Sequence, residues 1–407
     1  FAVEGVAVAV AGGDLLDARG QPVRYAPRAS ERASSGGACF GGGGRLVEAL
    51  ARRDWSSVRR EQSDPSPLVA PRADRIDSGP VVRRDRAAGL LLGQLVGDAL
   101  GAQVEFRSAE QLAASFPEGL RIIADGGHWD TLGGQPTDDS ELALALARAL
   151  AERGVWDRVA VAAAYAEWYR SRPFDIGRTV ATALGKGARA RNGSMPDVME
   201  AAASTASEAN GALMRISPLA IGGLARPAEV VEAWAARDAM LTHPHPVCLA
   251  ANRAFVAALR ACLVGERDLD RIWLAASAAA RRDADAAAGS VVDRLERART
   301  APPEAMDGVR QGWVLLALHN AFHQLAQAPS VEEGLVATVM RGGDTDTNAA
   351  IAGALLGAYH GLSTFPRAWV DRVLTCRPLA SAGAGRPRPR AYWPVDALQL
   401  VEALLVC

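Results

Sequence analysis

A chain of 407 residues has room for one large domain plus an appendage, or for two domains, and either arrangement buries a substantial core. Lys and Arg number 45 against 46 Asp and Glu, so a net charge of -1 offers no overall signal for nucleic acid or an anionic membrane as partner. The five cysteines (Cys39, Cys248, Cys262, Cys376, Cys407) are scattered without a CxxC pair. That spacing indicates neither a disulfide framework nor a thiolate zinc site, and it suits a reducing cytoplasm.

The opening FAVEGVAVAVAGGD is apolar but has no basic leader, and Glu4 interrupts it, which makes it a poor secretory signal. FAVEGVAVAV and QPVRYA are expected to pair as a hairpin around Gly12 and Gly13. GACFGGGGR lacks the Gly-Lys-Ser/Thr ending of a phosphate loop and reads as a flexible segment. Ser63 to Pro80, SDPSPLVAPRADRIDSGP, has the composition of a linker. From Arg86 onward the pattern is all-α. DDSELALALARALAERG, DRVAVAAAYAEWYRS, PAEVVEAWAARDAML, LAANRAFVAALRACL, RIWLAASAAARR and GWVLLALHNAFHQLA are rich in alanine and leucine, with polar residues at helical intervals. TAPPEAMDG reads as a loop and RPLASAGAGRPRPR as an exposed coil. Asn348 to Pro366 carries no acid, Lys or Arg and is the best candidate for a membrane span, yet its glycines favour a buried helix of small residues followed by a loop. No internal repeat recurs at a fixed period.

Two acidic clusters stand out. PTDDSELALALARAL sets Thr137, Asp138 and Asp139 at a helix start, where an N-cap and an acidic first turn, with Glu141 completing a box-like pattern, explain them without any ligand. GGDTDTNAAIAG admits the same explanation for Asp344, Thr345, Asp346 and Thr347. The recurrence is what changes the reading. Several carboxylates gathered in one helical domain repel one another unless cations lie between them, and hard oxygen donors suit Mg²⁺, Mn²⁺ or Ca²⁺. Two clusters suggest two ions. His319 and His323 have the four-residue spacing of a zinc pair but lack the internal Glu and a third ligand. Asp98, among small residues in VGDALG, reads as structural or as a support behind the ligands.

GLLLGQLVGDALGAQVEF, PTDDSELALALA, FDIGRTV, NGALMRISPLAIG, LTHPHP, GWVLLALHNAF and GGDTDTNAAIAGALLGAYHG occur in that order. Together they resemble the ADP-ribosylglycohydrolase family, and most closely its bacterial branch. The likeness covers Arg86 to the C-terminus, so residues 1–85 are expected to be an N-terminal extension and linker and residues 86–407 the catalytic domain. It implies a compact orthogonal helix bundle holding two Mg²⁺ or Mn²⁺ ions, with Thr137, Asp138, Asp139, Asp344, Asp346 and Thr347 as ligands. It further implies Glu105 and Asp175 as the carboxylates that act on the bond. Gly177, Asn210, Gly211, Met214, His243 and Trp313 would contact the substrate. Pro136, where many relatives have tryptophan, and Arg178, where the branch has a smaller polar residue, depart from the pattern without touching the expected ligands.

The chemistry implied is hydrolysis of a glycosidic bond at the distal ribose. Positive charge builds at the anomeric carbon, where carboxylates stabilise it, and a guanidine leaves only when protonated. The expected substrate is an ADP-ribosylated protein, with ADP-ribosylarginine first, or a small ADP-ribosyl conjugate; no membrane is involved, and the protein is expected to be a monomer. Alternatives are a serine, O-acetyl-ADP-ribose or nucleobase conjugate, cleavage of the diphosphate to give AMP, and a non-catalytic module that binds ADP-ribose and metal.

Overall fold

The computed structural model describes residues 2–3, 6–11, 14–17, 79–191, 193–283 and 286–407. The chain divides into two units, Phe1–Arg72 and Ala73–Cys407. In the first, β1 (Ala2–Val3), β2 (Val6–Ala11) and β3 (Asp14–Asp17) form an antiparallel ladder in that order. The pairing brackets Gly12 and Gly13 as expected, but the strand opposite β2 is DLLD, with Val8 facing Asp17 and Ala11 facing Asp14. QPVRYA and GACFGGGGR lie outside the described residues.

The second unit is all-α. Its helices in chain order are α1 (Pro80–Gly101), α2 (Ala109–Ser115), α3 (Asp138–Arg153), α4 (Arg158–Arg170), α5 (Arg178–Gly187), α6 (Met195–Ala202), α7 (Pro218–Gly222) and α8 (Ala228–Met240). There follow α9 (Pro246–Val264), α10 (Leu269–Ala280), α11 (Ala286–Ala298), α12 (Val314–Gln327), α13 (Val331–Val339), α14 (Thr345–His360), α15 (Arg367–Thr375) and α16 (Ala397–Leu405). Local chemistry sets several of the ends. The Asp157 carboxylate accepts from the Val159 and Ala160 amides to open α4, Ser108 and Gln111 form a reciprocal capping box on α2, and left-handed Gly154 closes α3.

The core is the antiparallel pair α1 and α14, in which residues 86–101 and 345–358 are buried on all sides. A helix buried all round need not be amphipathic, which explains the uniformly small, apolar composition of both. Gly89, Gly93, Gly97 and Gly101 recur every fourth residue and so form one stripe along α1. A Cβ on Gly93 would lie 2.1 Å from the Gly353 carbonyl oxygen, and one on Gly97 2.0 Å from that of Ala349. The two backbones therefore touch. At the end of the stripe, the Thr345 hydroxyl donates to the Gly101 carbonyl at 2.8 Å, which sets the C-terminus of α1 beside the N-terminus of α14.

Among the described residues, the helix with the length and hydropathy of a membrane span is α9 rather than α14, and most of it is buried inside the bundle. His319 and His323 donate to or accept from nothing that resembles a metal site: their rings meet the backbone carbonyls of Ala301 and Ala298 at 2.9 and 3.1 Å, near the end of α11. RPLASAGAGRPRPR is mostly exposed, but Pro378, Ala384 and Arg388 are buried. Arg388 is buried, forking onto the Glu141 carboxylate at 2.8 and 2.7 Å and reaching the Ser171 and Arg172 carbonyls.

Candidate active site

Three short segments converge on the junction of α1 and α14. Just beyond α1, the turn carrying Glu105 is stitched to the loop before α14: the Phe106 amide donates to the Gly343 carbonyl at 2.8 Å, and the Gly343 amide to the Arg107 carbonyl at 2.9 Å. Gly342 and Gly343 adopt φ of 73° and 75°, a left-handed pair that brings backbone against backbone and that side chains would strain. From this loop Asp344 caps into α14, with Asp346 and Thr347 in its first turn.

The start of α3 faces them. Thr137 occupies the N-cap position, yet its side chain makes no capping bond. Asp98 of α1 caps α3 instead, accepting from the Thr137 amide at 3.2 Å, the Thr137 hydroxyl at 3.0 Å and the Ser140 amide at 3.2 Å. The expected box is also absent, because Glu141 turns away to Arg388 and to the Trp168 indole. Freed from capping, Asp138 and Asp139 are available to the site. Asp138 accepts from the Gly177 amide at 3.4 Å, while one Asp139 oxygen lies 3.1 Å from the Thr137 hydroxyl, whose single proton it shares with Asp98, and the other, Oδ1, is buried with no partner.

Carboxylate oxygens of Glu105, Asp175 and Asp346 lie within 4.8 Å of one another. So much buried negative charge cannot be sustained bare. Burial, then repulsion from Asp175 and Asp344, pushes Glu105 up to about 9. Burial, then Asp344 and Asp98, pushes Asp175 up to about 7. Asp138, Asp139 and Asp346 are raised well above the ordinary carboxylate range, by burial first and then by the charges of Asp175, Asp98 and Glu105 respectively. Neutralisation by protons or by cations relieves this, and the unpartnered Asp139 oxygen fits a hard divalent cation.

The fourth wall is the 3₁₀ turn Asn210–Arg215. The Asn210 amide side chain donates to Asp344 Oδ2 at 2.7 Å, and its backbone amide to the Gly312 carbonyl at 3.0 Å. Behind the turn, fully buried Arg215 pairs with Asp238 at 3.0 Å, and the Gln94 side chain of α1 donates to the Met214 carbonyl at 2.8 Å. Met214 itself is core. His243 is closed off from solvent, its Nδ1 at 2.8 Å from the Thr242 hydroxyl and its Nε2 unpartnered, and burial lowers it to about 3, which keeps the ring neutral. A Cβ on Gly211 would sit 3.0 Å from its ring, so the ring packs directly against Gly211. Trp313 stands apart from the acids. Its indole donates to Glu208 at 2.7 Å, and it lines an adjoining cavity of about 390 Å³ together with Glu208, Ser290, Asp293, Arg294 and Arg297. Gly312 connects the two, lying 3.5 Å from Asp344 Oδ2 by the reach of a Cβ.

Sequence reasoning missed Trp129. Its indole donates to Glu105 Oε2 at 2.6 Å, and only its glycine-flanked loop, GGHWDTLGG, hinted at a fixed position. Asp98 takes the structural, supporting place that the sequence suggested, since its carboxylate reaches across to hold Thr137 and Ser140.

Residues 80–390 match the ADP-ribosylglycohydrolase family. The chain is 32% identical to the ADP-ribosyl-dinitrogen reductase glycohydrolase of Rhodospirillum rubrum, over 73% of this chain and 92% of that one. It is 27% identical to the ADP-ribosylarginine hydrolase Tri1 of Pseudomonas putida, over 71% and 74% of the respective chains. A solved structure, an ADP-ribosylglycohydrolase-related protein complex, superposes with a TM-score of 0.62 at 30% identity, covering 80% of this chain and 99% of that one.

Proposed function

The chain belongs to the ADP-ribosylglycohydrolase family and is a glycosidic-bond hydrolase acting on ADP-ribosylated targets, and from that premise we propose that its substrate is ADP-ribosylarginine on protein. The observation that carries the reading is the buried convergence of Glu105, Asp175 and Asp346 within 4.8 Å. The similarity to Tri1, an ADP-ribosylarginine hydrolase, supports arginine as acceptor.

In the proposed reaction, the bond from the anomeric carbon to the guanidine nitrogen breaks, a water oxygen takes its place, and the nitrogen leaves with a proton. Glu105 and Asp175 share the acid, base and electrostatic roles, because both border the mouth of the acidic cluster and both hold protons more tightly than ordinary carboxyls. Asn210, Gly211 and Gly177 would hold the ribose and diphosphate through backbone and amide groups, and the cavity beside Trp313 would take the nucleoside arm. Thr137, Asp138, Asp139, Asp344, Asp346 and Thr347 are proposed to hold two Mg²⁺ or Mn²⁺ ions. When bound, such ions supply Lewis acidity to the ribose hydroxyls and to water.

The test is incubation with a panel of ADP-ribosyl conjugates, with Mg²⁺ or Mn²⁺ and with EDTA, followed by identification of the product. ADP-ribose released fastest from ADP-ribosylarginine supports the reading. Preference for a serine or O-acetyl conjugate replaces the acceptor; AMP as product, or full activity in EDTA, overturns the mechanism.

A further inference from the structure

A chain of four aromatic rings borders the acidic cluster. Phe106 meets His128 edge-on at 4.9 Å between centroids, His128 meets Trp129 edge-on at 4.7 Å, and Trp129 meets Phe174 at 5.8 Å and a tilt of 56°. The ends of this belt are sequence neighbours of the two proposed catalytic carboxylates: Phe106 follows Glu105, and Phe174 precedes Asp175. Its middle ring donates to Glu105. The belt therefore frames both carboxylates.

Two features set it apart from ordinary core packing. Phe106 is 50% exposed and His128 is also exposed, while Trp129 and Phe174 are half-buried, so none of the four rings is closed off from solvent. Phe106 moreover has φ of 65°, a conformation that a bulky side chain seldom adopts. Its amide bond to Gly343 holds it there, turning an apolar ring toward solvent at a cost that packing does not repay.

We propose that this belt is the subsite for the acceptor, and that the chemistry it recognises is the guanidinium of the modified arginine. A planar, weakly hydrated cation stacks on aromatic faces, whereas a neutral ester or hydroxyl acceptor gains nothing of the kind. The inference rests on the arginine reading above and supplies its specificity.

The test uses Phe106→Ala and Phe174→Ala, which leave Trp129 and its bond to Glu105 in place, with Phe106→Tyr as the conservative rescue. Agmatine is the guanidinium probe, titrated into the full chain saturated with ADP-ribose. Its affinity is expected to fall about 10-fold or more in the alanine variants and to recover in Phe106→Tyr. In parallel, kcat/KM on ADP-ribosylarginine should fall by a similar factor, with turnover of O-acetyl-ADP-ribose and affinity for ADP-ribose unchanged. Agmatine that fails to bind the wild type, binds the alanine variants equally well, or an equal loss on both substrates, overturns the subsite. Agmatine binding that depends on the belt in a protein unable to cleave ADP-ribosylarginine supports the subsite and removes the arginine reading instead.

Discussion

Glu105 and Asp175 differ from the other acids of the cluster in where they stand: both lie on loops, beside aromatic rings, while Asp139 and Asp346 lie at helix starts. Loss of a general acid or base typically costs at least ~100-fold in turnover. Glu105→Gln and Asp175→Asn are thus expected to lower the single-turnover rate on ADP-ribosylarginine by that factor, with calorimetry showing ADP-ribose affinity little changed; weakened affinity at an unchanged rate would move both residues to the binding cradle. Trp129→Phe keeps the ring packing and removes only the N–H that holds Glu105, so a loss of about 10-fold in kcat at constant affinity is expected, on the scale of one buried hydrogen bond. Asp98 works at one remove from all of these. Asp98→Ala leaves the α3 start uncapped and should lower stability by about 1–3 kcal/mol in urea denaturation. An unchanged midpoint would show that the Asp98 contacts contribute nothing.

The contact of α1 with α14 is where element-scale prediction is sharpest. Gly97→Val sets side-chain atoms where the Ala349 carbonyl stands 2.0 Å away, and overpacking of this kind costs about 1–3 kcal/mol or more. The variant should melt at lower urea by circular dichroism, and retention of the wild-type midpoint would mean that the two helices separate easily. Helix existence was legible in the sequence, because period and composition alone mark α3, α4, α8, α9, α10 and α12. Both acidic helix starts were legible as well. What the sequence left open was which of two physical roles those acids fill, since an N-cap and a ligand set use the same residues in the same place. The answer came from across the bundle: Asp98 takes over the cap and Arg388 draws Glu141 aside. Partners 39 and 247 residues away leave no mark on local periodicity. The resemblance, too, spoke of ligands and not of the wall that supports them, which is why Trp129 and Gln94 went unnoticed.

At the scale of the molecule, the acids couple chemistry to stability. A carboxyl whose folded pKa stands above its unfolded value stabilises the fold fully below the unfolded value, and that contribution disappears as pH climbs through the folded one. Asp175 moves from 3.8 to about 7 and Glu105 from 4.5 to about 9, so the metal-free protein should lose stability steadily between about pH 4 and about pH 9. Melting curves in EDTA should show Tm higher near pH 5 than near pH 8, and Mn²⁺ should raise Tm most at the alkaline end. A flat profile in EDTA would leave the crowding of charge without energetic effect. Whether the N-terminal unit is separable is open to the same kind of measurement. Since α1 begins at Pro80 and the family match at residue 80, deletion through Ser78 is proposed to leave a folded, active core; loss of folding would make the segment integral, and folding without activity would make it part of the site. The glycine stripe of α1 has a genetic consequence. Gly89 lies twelve residues from Gly101, about 18 Å along the helix, yet both set how α1 meets α14. In a random screen for inactive alleles, the hits should therefore trace a line through the interior of the fold as well as a cluster around the acids, and a search confined to the neighbourhood of the substrate would overlook half of what inheritance can break.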